Sequence, residues 1–396
     1  MTYLPPDNDD AWDGWRAQWR LRDDTLYLNH GSFGPPPEPV REAQQFWKNR
    51  LDTQPMDFLT RRLAPAWLEA RKRVADFLHT DFHNLIFVTN ATEAMNLVAH
   101  SFPLSPGDEV LLTDHEYGAV RRIWQQRAAV CRAECRVAAL PLPLESAEQV
   151  LATLDANCTD RTRLLVVSHI TSPTAIRLPV ERICQAARRR GIAVCIDGPH
   201  AVAQLPLQLD ALDCSFYAAS CHKWLSAPFG TGFLYVAPPW QAWLKPMQIS
   251  WGLPPPDVPQ GWDDEFFWQG TRDPSPWLAL PAAIDFLSSV GWDAFRQRSR
   301  WLARYARQQL APLSPPHLPP VAADLDEWYT GMAHVPLPAG DRAPLQNLLW
   351  TRFGIEVPII GWRDRRWVRV SCHLYNRSAD IDALARALSE LIQDGY

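Results

Sequence analysis

Between Leu85 and Ile196, short apolar runs alternate with stretches of helical periodicity. The spacing predicts strands at Leu85–Thr89, Glu109–Thr113, Arg136–Leu140, Leu164–Ile170 and Ala193–Ile196. Between them it predicts helices at Ala91–Ser101, Ala119–Val130, Ser146–Ala156 and Val180–Arg190, the last closed by Gly191. Two more apolar strands, Cys214–Ala219 and Phe233–Val236, follow. Strands separated by helices of this length pair in parallel, so the pattern means an α/β fold with a mainly parallel sheet covered on both faces. In such sheets ligands bind beyond the carboxyl ends of the strands, and chemistry-bearing residues are to be sought there. A chain of 396 residues has room for that large domain and a smaller one.

The strand Cys214–Ala219 runs into Ser220-Cys221-His222-Lys223-Trp224. Lysine occurs only at positions 48, 72, 223 and 245, with arginine used nearly everywhere else. An ammonium among apolar strands is costly unless it is paired or uncharged. An amine can lose its proton and form a Schiff base; a guanidinium cannot. An isolated loop lysine reads as a surface residue, but neighbouring strand ends change that reading for Lys223. Asn90-Ala91-Thr92-Glu93 opens a helix, where free N–H groups, the helix dipole and the Thr92 hydroxyl suit an anion. Taken alone, a capping threonine accounts for that stretch equally well. Asp197-Gly198-Pro199-His200 ends another strand, and a buried carboxylate there needs a cationic partner such as a protonated pyridine nitrogen. Phosphate cradle, ring-nitrogen acid and Schiff-base lysine are together what pyridoxal phosphate demands.

Upstream, residues 11–28 read as a helical arm ending in a strand, Thr25–Leu28, with helices at Pro39–Gln54 and Pro65–Leu78 after the loop 29–37. Downstream, a long helix, Leu278–Leu310, is broken by the proline-rich stretch 312–320. Then come strand Tyr329–Val335, helix Arg342–Phe353, strands Ile355–Ile360 and Trp367–Cys372, and helix Ala379–Ile392, a small α+β domain. The expected division is an arm over 1–28, a large cofactor-binding domain over 29–275 and a small domain over 276–396. A net charge of −5 gives no case for nucleic acid or a membrane surface, and no apolar run is long enough to span a bilayer. The acidic N-terminus lacks the blocks of a signal peptide, and eight cysteines without a CxxC pair suit a reducing cytoplasm. No metal site is expected. A nucleotide site is disfavoured, because no GxxxxGK[ST] occurs and Gly230-Thr231-Gly232 precedes a strand, not a helix.

Asn90-Ala91-Thr92-Glu93, Asp197-x-x-His200 and Ser220-x-His222-Lys223 resemble the motifs of the class V aminotransferase family of fold-type I pyridoxal phosphate enzymes, over essentially the whole chain. Leu28–Gly34, Asp114–Ala119 and Trp268–Asp273 resemble its isopenicillin N epimerase-like branch. The resemblance implies a large domain with a mainly parallel seven-stranded sheet, a small C-terminal α+β domain, and a homodimer with shared active sites. It implies that Lys223 forms the Schiff base and shuttles protons, that Asp197 pairs with the pyridine nitrogen, and that His200 lies near the phenolic oxygen. Ala91, Thr92, Ser220 and His222 would hold the phosphate. Tyr117 would stack on the ring, as any aromatic can. Thr171 or Ser172 would stand in for an asparagine of relatives, and Thr271 would reach the neighbouring subunit's phosphate. Arg369 would bind the substrate α-carboxylate, a bidentate task suited to guanidinium. Without the resemblance it reads as one more solvated charge beside Arg363, Asp364, Arg365 and Arg366. Asn29 and His30 are candidates at the substrate.

Desulfurases of the family need a nucleophilic cysteine shortly before that arginine, and residues 340–368 contain none. Cys221 is expected to face away from the site, because its neighbours Ser220 and His222 face it. The resemblance therefore implies chemistry at Cα of an amino acid, a small-molecule substrate, epimerisation first, with Tyr117 or His30 as the proton donor on the second face. A C–S lyase acting on cysteine conjugates and an aminotransferase are the alternatives. A non-catalytic cofactor-binding regulator is the alternative of a different class, and no basic helix-turn-helix stretch supports it.

Overall fold

The computed structural model describes residues 4–254 and 257–396; Met1–Tyr3, Pro255 and Pro256 lie outside the described residues. The amino-terminal segment is less helical than its spacing predicts. Apart from single turns at Asp9–Trp12 and Asp13–Arg16 it runs irregularly to a two-residue strand, β1 (Leu26–Tyr27). Tertiary anchoring replaces helix pairing there: the buried indoles of Trp12 and Trp19 donate to the Pro5 and Pro35 carbonyls.

Seven strands build the large sheet: β2 (Leu85–Val88), β3 (Glu109–Thr113), β4 (Glu134–Ala138), β5 (Thr162–Ser168), β6 (Ala193–Asp197), β7 (Phe216–Ser220) and β8 (Gly232–Val236). Their order is β2-β8-β7-β6-β5-β3-β4, and β8 alone runs against its neighbours. The expected seven-stranded, mainly parallel sheet is therefore present. Side chains alternate between two apolar layers: Leu165 and Val167 of β5 enter one, Leu164 and Val166 the other. That alternation, with both faces dry, is why these strands read as unbroken apolar runs.

A smaller antiparallel sheet has the order β11-β12-β9, from β9 (Met332–Pro336), β11 (Ile359–Trp362) and β12 (Arg365–Ser371). The preceding strand, β10 (Ile355–Glu356), pairs in parallel with β1, tying the N-terminal segment to the small sheet's side. Two expectations change here. The single strand Ile355–Ile360 is split, because Pro358 has no N–H to continue a ladder. The single helix Leu278–Leu310 is two, Leu280–Val290 and Trp292–Leu310, because Gly291 sits at φ +93°, a conformation that ends a right-handed helix.

Candidate active site

The carboxyl ends of β2, β3, β5, β6 and β7 open into one cavity of about 600 Å³. The phosphate-type cradle forms where β2 meets its helix, Ala91–Ser101. Asn90 caps that helix by accepting from the Glu93 N–H (2.9 Å), and the Ala91 N–H donates to Ser220 Oγ at the end of β7 (2.9 Å). Thr92 and His222 complete this corner of the cavity. Nδ1 of His222 is buried with no hydrogen-bond partner, and burial holds the ring neutral by lowering its pKa to about 4. A helix N-terminus, two hydroxyls and an unpartnered imidazole nitrogen are a donor set for an anion.

Lys223 follows on the same loop and is held from behind. Gly34 of the loop 29–37 presses against it: a Cβ on Gly34 would stand 2.5 Å from the Lys223 carbonyl oxygen and 2.6 Å from His30 Nε2. His30 lies 2.9 Å from that carbonyl through Nε2 and 2.9 Å from the Tyr375 hydroxyl through Nδ1. In front, Lys223 Nζ is 3.2 Å from His200 Nε2, and the Trp224 indole donates to His200 Nδ1 at 3.3 Å. Indole can only donate, so Nδ1 accepts, and the neutral ring carries its proton on Nε2. Burial lowers the His200 pKa far below its ordinary value, so the ring is neutral. An N–H on Nε2 pointing at Lys223 is satisfied only by an uncharged amine. Burial pushes Lys223 the same way, followed by the nearby charge of Arg369, with Asp197 acting against both.

Asp197 ends β6, and burial raises its pKa, opposed by Lys223. Its carboxylate takes no hydrogen bond from any described residue, although it lines the cavity. A second buried carboxyl, Glu116, follows β3. The Thr113 hydroxyl donates to its Oε1 (2.7 Å) and the Ser168 hydroxyl to its Oε2 (2.6 Å). Burial above all raises its pKa to about 7, with the Asp197 charge adding to the effect.

The opposite wall comes from distant stretches. Arg369 on β12 is buried, donates to the Ser172 carbonyl (2.7 Å) and hydroxyl (3.1 Å), and reaches the Ser32 hydroxyl (2.6 Å). Its Nε has no partner, and burial lowers its pKa to about 10. Trp362, Tyr117 and Phe33 close this side.

Of the residues singled out from sequence, Ala91, Thr92, Tyr117, Ser172, Asp197, His200, Ser220, His222, Lys223 and Arg369 line this one cavity. Others do not. Thr171 is buried behind it, with its hydroxyl engaged by Thr174 (2.6 Å) and the Ile176 N–H (2.8 Å). Asn29 is buried with its amide turned to Glu356, and His30 backs the Lys223 loop with its pKa lowered by burial to about 3. Thr271 is exposed and outside the cavity. Cys221 faces the core, as expected, and no cysteine lines the cavity among the described residues. Sequence reasoning gave no role to Glu116, Ser32 or Trp362. Glu116 carried the same signal as Asp197, an acid just past a buried strand; Ser32 and Trp362 carried none, because only tertiary folding brings them in.

The chain matches the family model described as aminotransferase class-V over residues 35–384. It is 39% identical to the isopenicillin N epimerase of Amycolatopsis lactamdurans over 401 residues, covering 96% of this chain and 98% of that protein. The isopenicillin N epimerase of Streptomyces clavuligerus is 38% identical, with 96% of this chain and 98% of that protein covered. Among solved structures, the cysteine desulfurase of Escherichia coli matches with a TM-score of 0.81 at 24% identity, over 96% of this chain and 98% of that one, a likeness of fold.

Proposed function

Because the chain belongs to the class V aminotransferase family, we propose that it is a pyridoxal phosphate enzyme that inverts the Cα of an amino acid substrate. One observation carries the reading: a buried amine of lowered pKa at Lys223, an unbonded buried carboxylate at Asp197 and an anion cradle meet in one cavity. These residues fit the cofactor. The Ala91–Ser101 helix terminus, Thr92, Ser220 and His222, with its unpartnered Nδ1, would hold the phosphate. Asp197 would keep the ring nitrogen protonated, Tyr117 would cover a ring face, and His200 would stand beside the attachment point at Lys223. Ser172, which lines the cavity where Thr171 does not, would make the polar contact there. When bound, the cofactor supplies an electron sink that lets a Cα–H bond ionise.

The chain's own groups then divide the proton work. Arg369 binds the α-carboxylate and fixes which substituents of Cα face each wall. Lys223 Nζ, its pKa lowered by burial to about 8, accepts the Cα proton on one side. Tyr117, which enters from β3, at the other end of the run β7-β6-β5-β3, returns a proton through its hydroxyl on the second side. Likeness to two epimerases over nearly the full chain favours inversion over the other fates of a Cα carbanion. The lack of a cavity-lining cysteine among the described residues leaves persulfide chemistry without its nucleophile. We further propose a homodimer. Thr271 is exposed, and the chain before it presents Ile249, Trp251 and Val258 to solvent, an apolar surface suited to a second copy whose phosphate Thr271 would reach. Eight free thiols suit a reducing cytoplasm. No described helix is long and apolar enough to cross a membrane.

Proton NMR of the cofactor-loaded protein in D2O, with isopenicillin N and a panel of L- and D-amino acids and cysteine conjugates, tests this. Inversion predicts loss of the Cα signal and growth of the opposite configuration. Keto acid released without an added acceptor would replace epimerase with lyase, and no exchange with any compound would remove the catalytic reading.

A further inference from the structure

Behind the Lys223 loop two buried imidazoles stack face to face. The rings of His30 and His373 lie 3.9 Å apart with 18° between their planes, walled by Trp19, Trp224, Phe295 and Tyr375. A buried stack can be simple core filling, but the hydrogen bonds of His30 fix its orientation. Burial lowers the His30 pKa to about 3 and that of His373 far below its ordinary value, so both rings are neutral. The Lys223 carbonyl can only accept, so His30 carries its proton on Nε2, 2.9 Å from that oxygen. Nδ1 must then accept, and the Tyr375 hydroxyl, also at 2.9 Å, donates to it. The Ser226 hydroxyl lies 3.4 Å from Nε2 of each ring, and the Ser226 N–H donates to the same Lys223 carbonyl at 2.9 Å. Ser226 has φ +54°, a left-handed conformation that a residue with a side chain keeps only where its surroundings hold it. The lysine thus opens a strained turn whose first carbonyl is fixed from two sides. His373 and Tyr375 follow β12, the strand that carries Arg369, and the His30 N–H donates to the Ser371 carbonyl at the end of that strand (3.2 Å).

We propose that His30 is a positioning residue for Lys223: held in one tautomer by Tyr375 and in one plane by His373, it pins the lysine's carbonyl and so aims Nζ into the cavity. The inference rests on the reading of Lys223 as the cofactor's attachment point, and it adds what holds that lysine in place. None of the three residues lines the cavity, so they act on the chemistry only through Lys223. A reacting group aimed in advance has a high effective concentration at its target, and one free to wander loses it. Attachment should therefore be harder to displace with the clamp than without it.

The test is a competition on the cofactor-loaded protein. Methylamine, which has no carboxylate for Arg369, takes over the carbon–nitrogen double bond to the cofactor and frees the lysine amine. Borohydride reduction followed by intact-mass measurement then counts the chains still joined to cofactor at each methylamine concentration. His30→Phe keeps a ring in the stack and loses the donor, and half-displacement should need about tenfold less methylamine. Tyr375→Phe removes one hydroxyl and frees the tautomer, which should lower the concentration by about threefold, the worth of one hydrogen bond. His30→Gln, whose amide can place an N–H where Nε2 stands, should return most of the resistance. The thermal transition and the cofactor content before methylamine is added should be the same in all three. Should His30→Phe not fold, Tyr375→Phe and His30→Gln decide. Displacement of the His30→Phe and Tyr375→Phe proteins at the concentration that displaces the unsubstituted one would overturn the proposal. So would a His30→Gln protein as weak as His30→Phe, since the ring and not its N–H would then matter. No attachment in the unsubstituted protein is a separate outcome: it would remove Lys223 as the attachment point, and the proposal with it.

Discussion

The two walls of the catalytic cavity are built on different principles. One wall is local: Asn90 to Thr92, Asp197 to His200 and Ser220 to Lys223 each sit where a single strand of the large sheet ends. The other is assembled at long range: Ser32, Ser172, Trp362 and Arg369 meet only because the N-terminal loop, the loop after β5 and the small sheet fold together. The first wall offers groups suited to a cofactor, the second groups suited to a substrate. The difference teaches that the groups suited to a cofactor are tied to sheet geometry, whereas those suited to a substrate are brought in only when the small sheet docks. Changes to the first should abolish function; changes to the second should redirect or weaken it.

The largest expected effect is on the local wall. Lys223→Ala should remove covalent cofactor attachment and lower Cα exchange by at least about 10⁴-fold, since no other described amine lines the cavity. The visible absorbance that marks attachment should disappear with it, while the thermal transition stays. Residual exchange near the level of the unsubstituted protein would break the division between the walls.

On the assembled wall, Arg369→Gln should raise KM by about 100-fold with a much smaller fall in kcat, the loss of a charge-assisted carboxylate contact made in ground and transition state alike. Cofactor affinity should not change. A fall in cofactor affinity as large as the rise in KM would show that the two walls are not separate.

This contrast also explains what was legible in the sequence. The seven-stranded sheet and the positions of Asp197, Lys223 and Thr92 could be read because strand, loop and helix follow one another in the chain. Arg369 needed a family resemblance, since its neighbours Arg363, Asp364 and Arg365 look like solvated charge; folding turns Arg366 and Arg369 inward and pairs Arg363 with Asp114. His30 and Asn29 were placed at the substrate from a loop that does touch the site, but the loop's backbone path, pinned by Gly34 against Lys223, turns Ser32 inward instead. Side-chain direction in an irregular loop has no periodicity to reveal it. Gly291 ends a helix for a reason visible only once its φ is known.

Glu116 sits on the local wall yet holds its unusual charge state through burial, so it tests whether that wall is as rigid as its strand ends suggest. In the folded protein its pKa is raised by burial from an ordinary 4.5 to about 7. The unfolded chain sheds the proton above the lower value, the folded chain only near the higher one. Its contribution to stability is thus full below pH 4.5 and is lost as pH rises toward 7. Glu116→Gln, which keeps a neutral group between Thr113 and Ser168, should flatten that decline, by on the order of 3 kcal/mol between the two ends. Parallel denaturant titrations from pH 4 to pH 8 would show it. An unchanged slope would mean that the carboxyl is ionised in the fold and that the wall relaxes around it.

The smallest effect concerns the join between the walls. Arg363 and Asp364 turn the β11–β12 hairpin with φ of +49° and +54°, a left-handed pair that disfavours side chains and is usually given to Asn or Gly. The sequence keeps arginine there because the guanidinium reaches across to the large sheet. Nε and Nη2 donate to Asp114 Oδ2 (2.8 and 2.5 Å), and Nη2 also donates to the Leu140 carbonyl (2.5 Å). The Trp362 indole adds a bond to the Asp114 carbonyl (3.1 Å), and its ring lies 4.6 Å from that of His115. Local strain in the turn is therefore offset by contacts that seat the hairpin beside Glu116 and Tyr117. Asp114→Asn keeps the acceptor for Leu140 but removes the charge pairing and the acceptor for Arg363, a loss of about 1 kcal/mol for a partly exposed pair. If the hairpin's seat sets the substrate wall alone, KM should rise about fivefold while kcat and cofactor affinity hold, and the effect should shrink in high salt. An equal fall in kcat would instead show that seating the hairpin also positions Tyr117, and that the proton donor belongs to both walls.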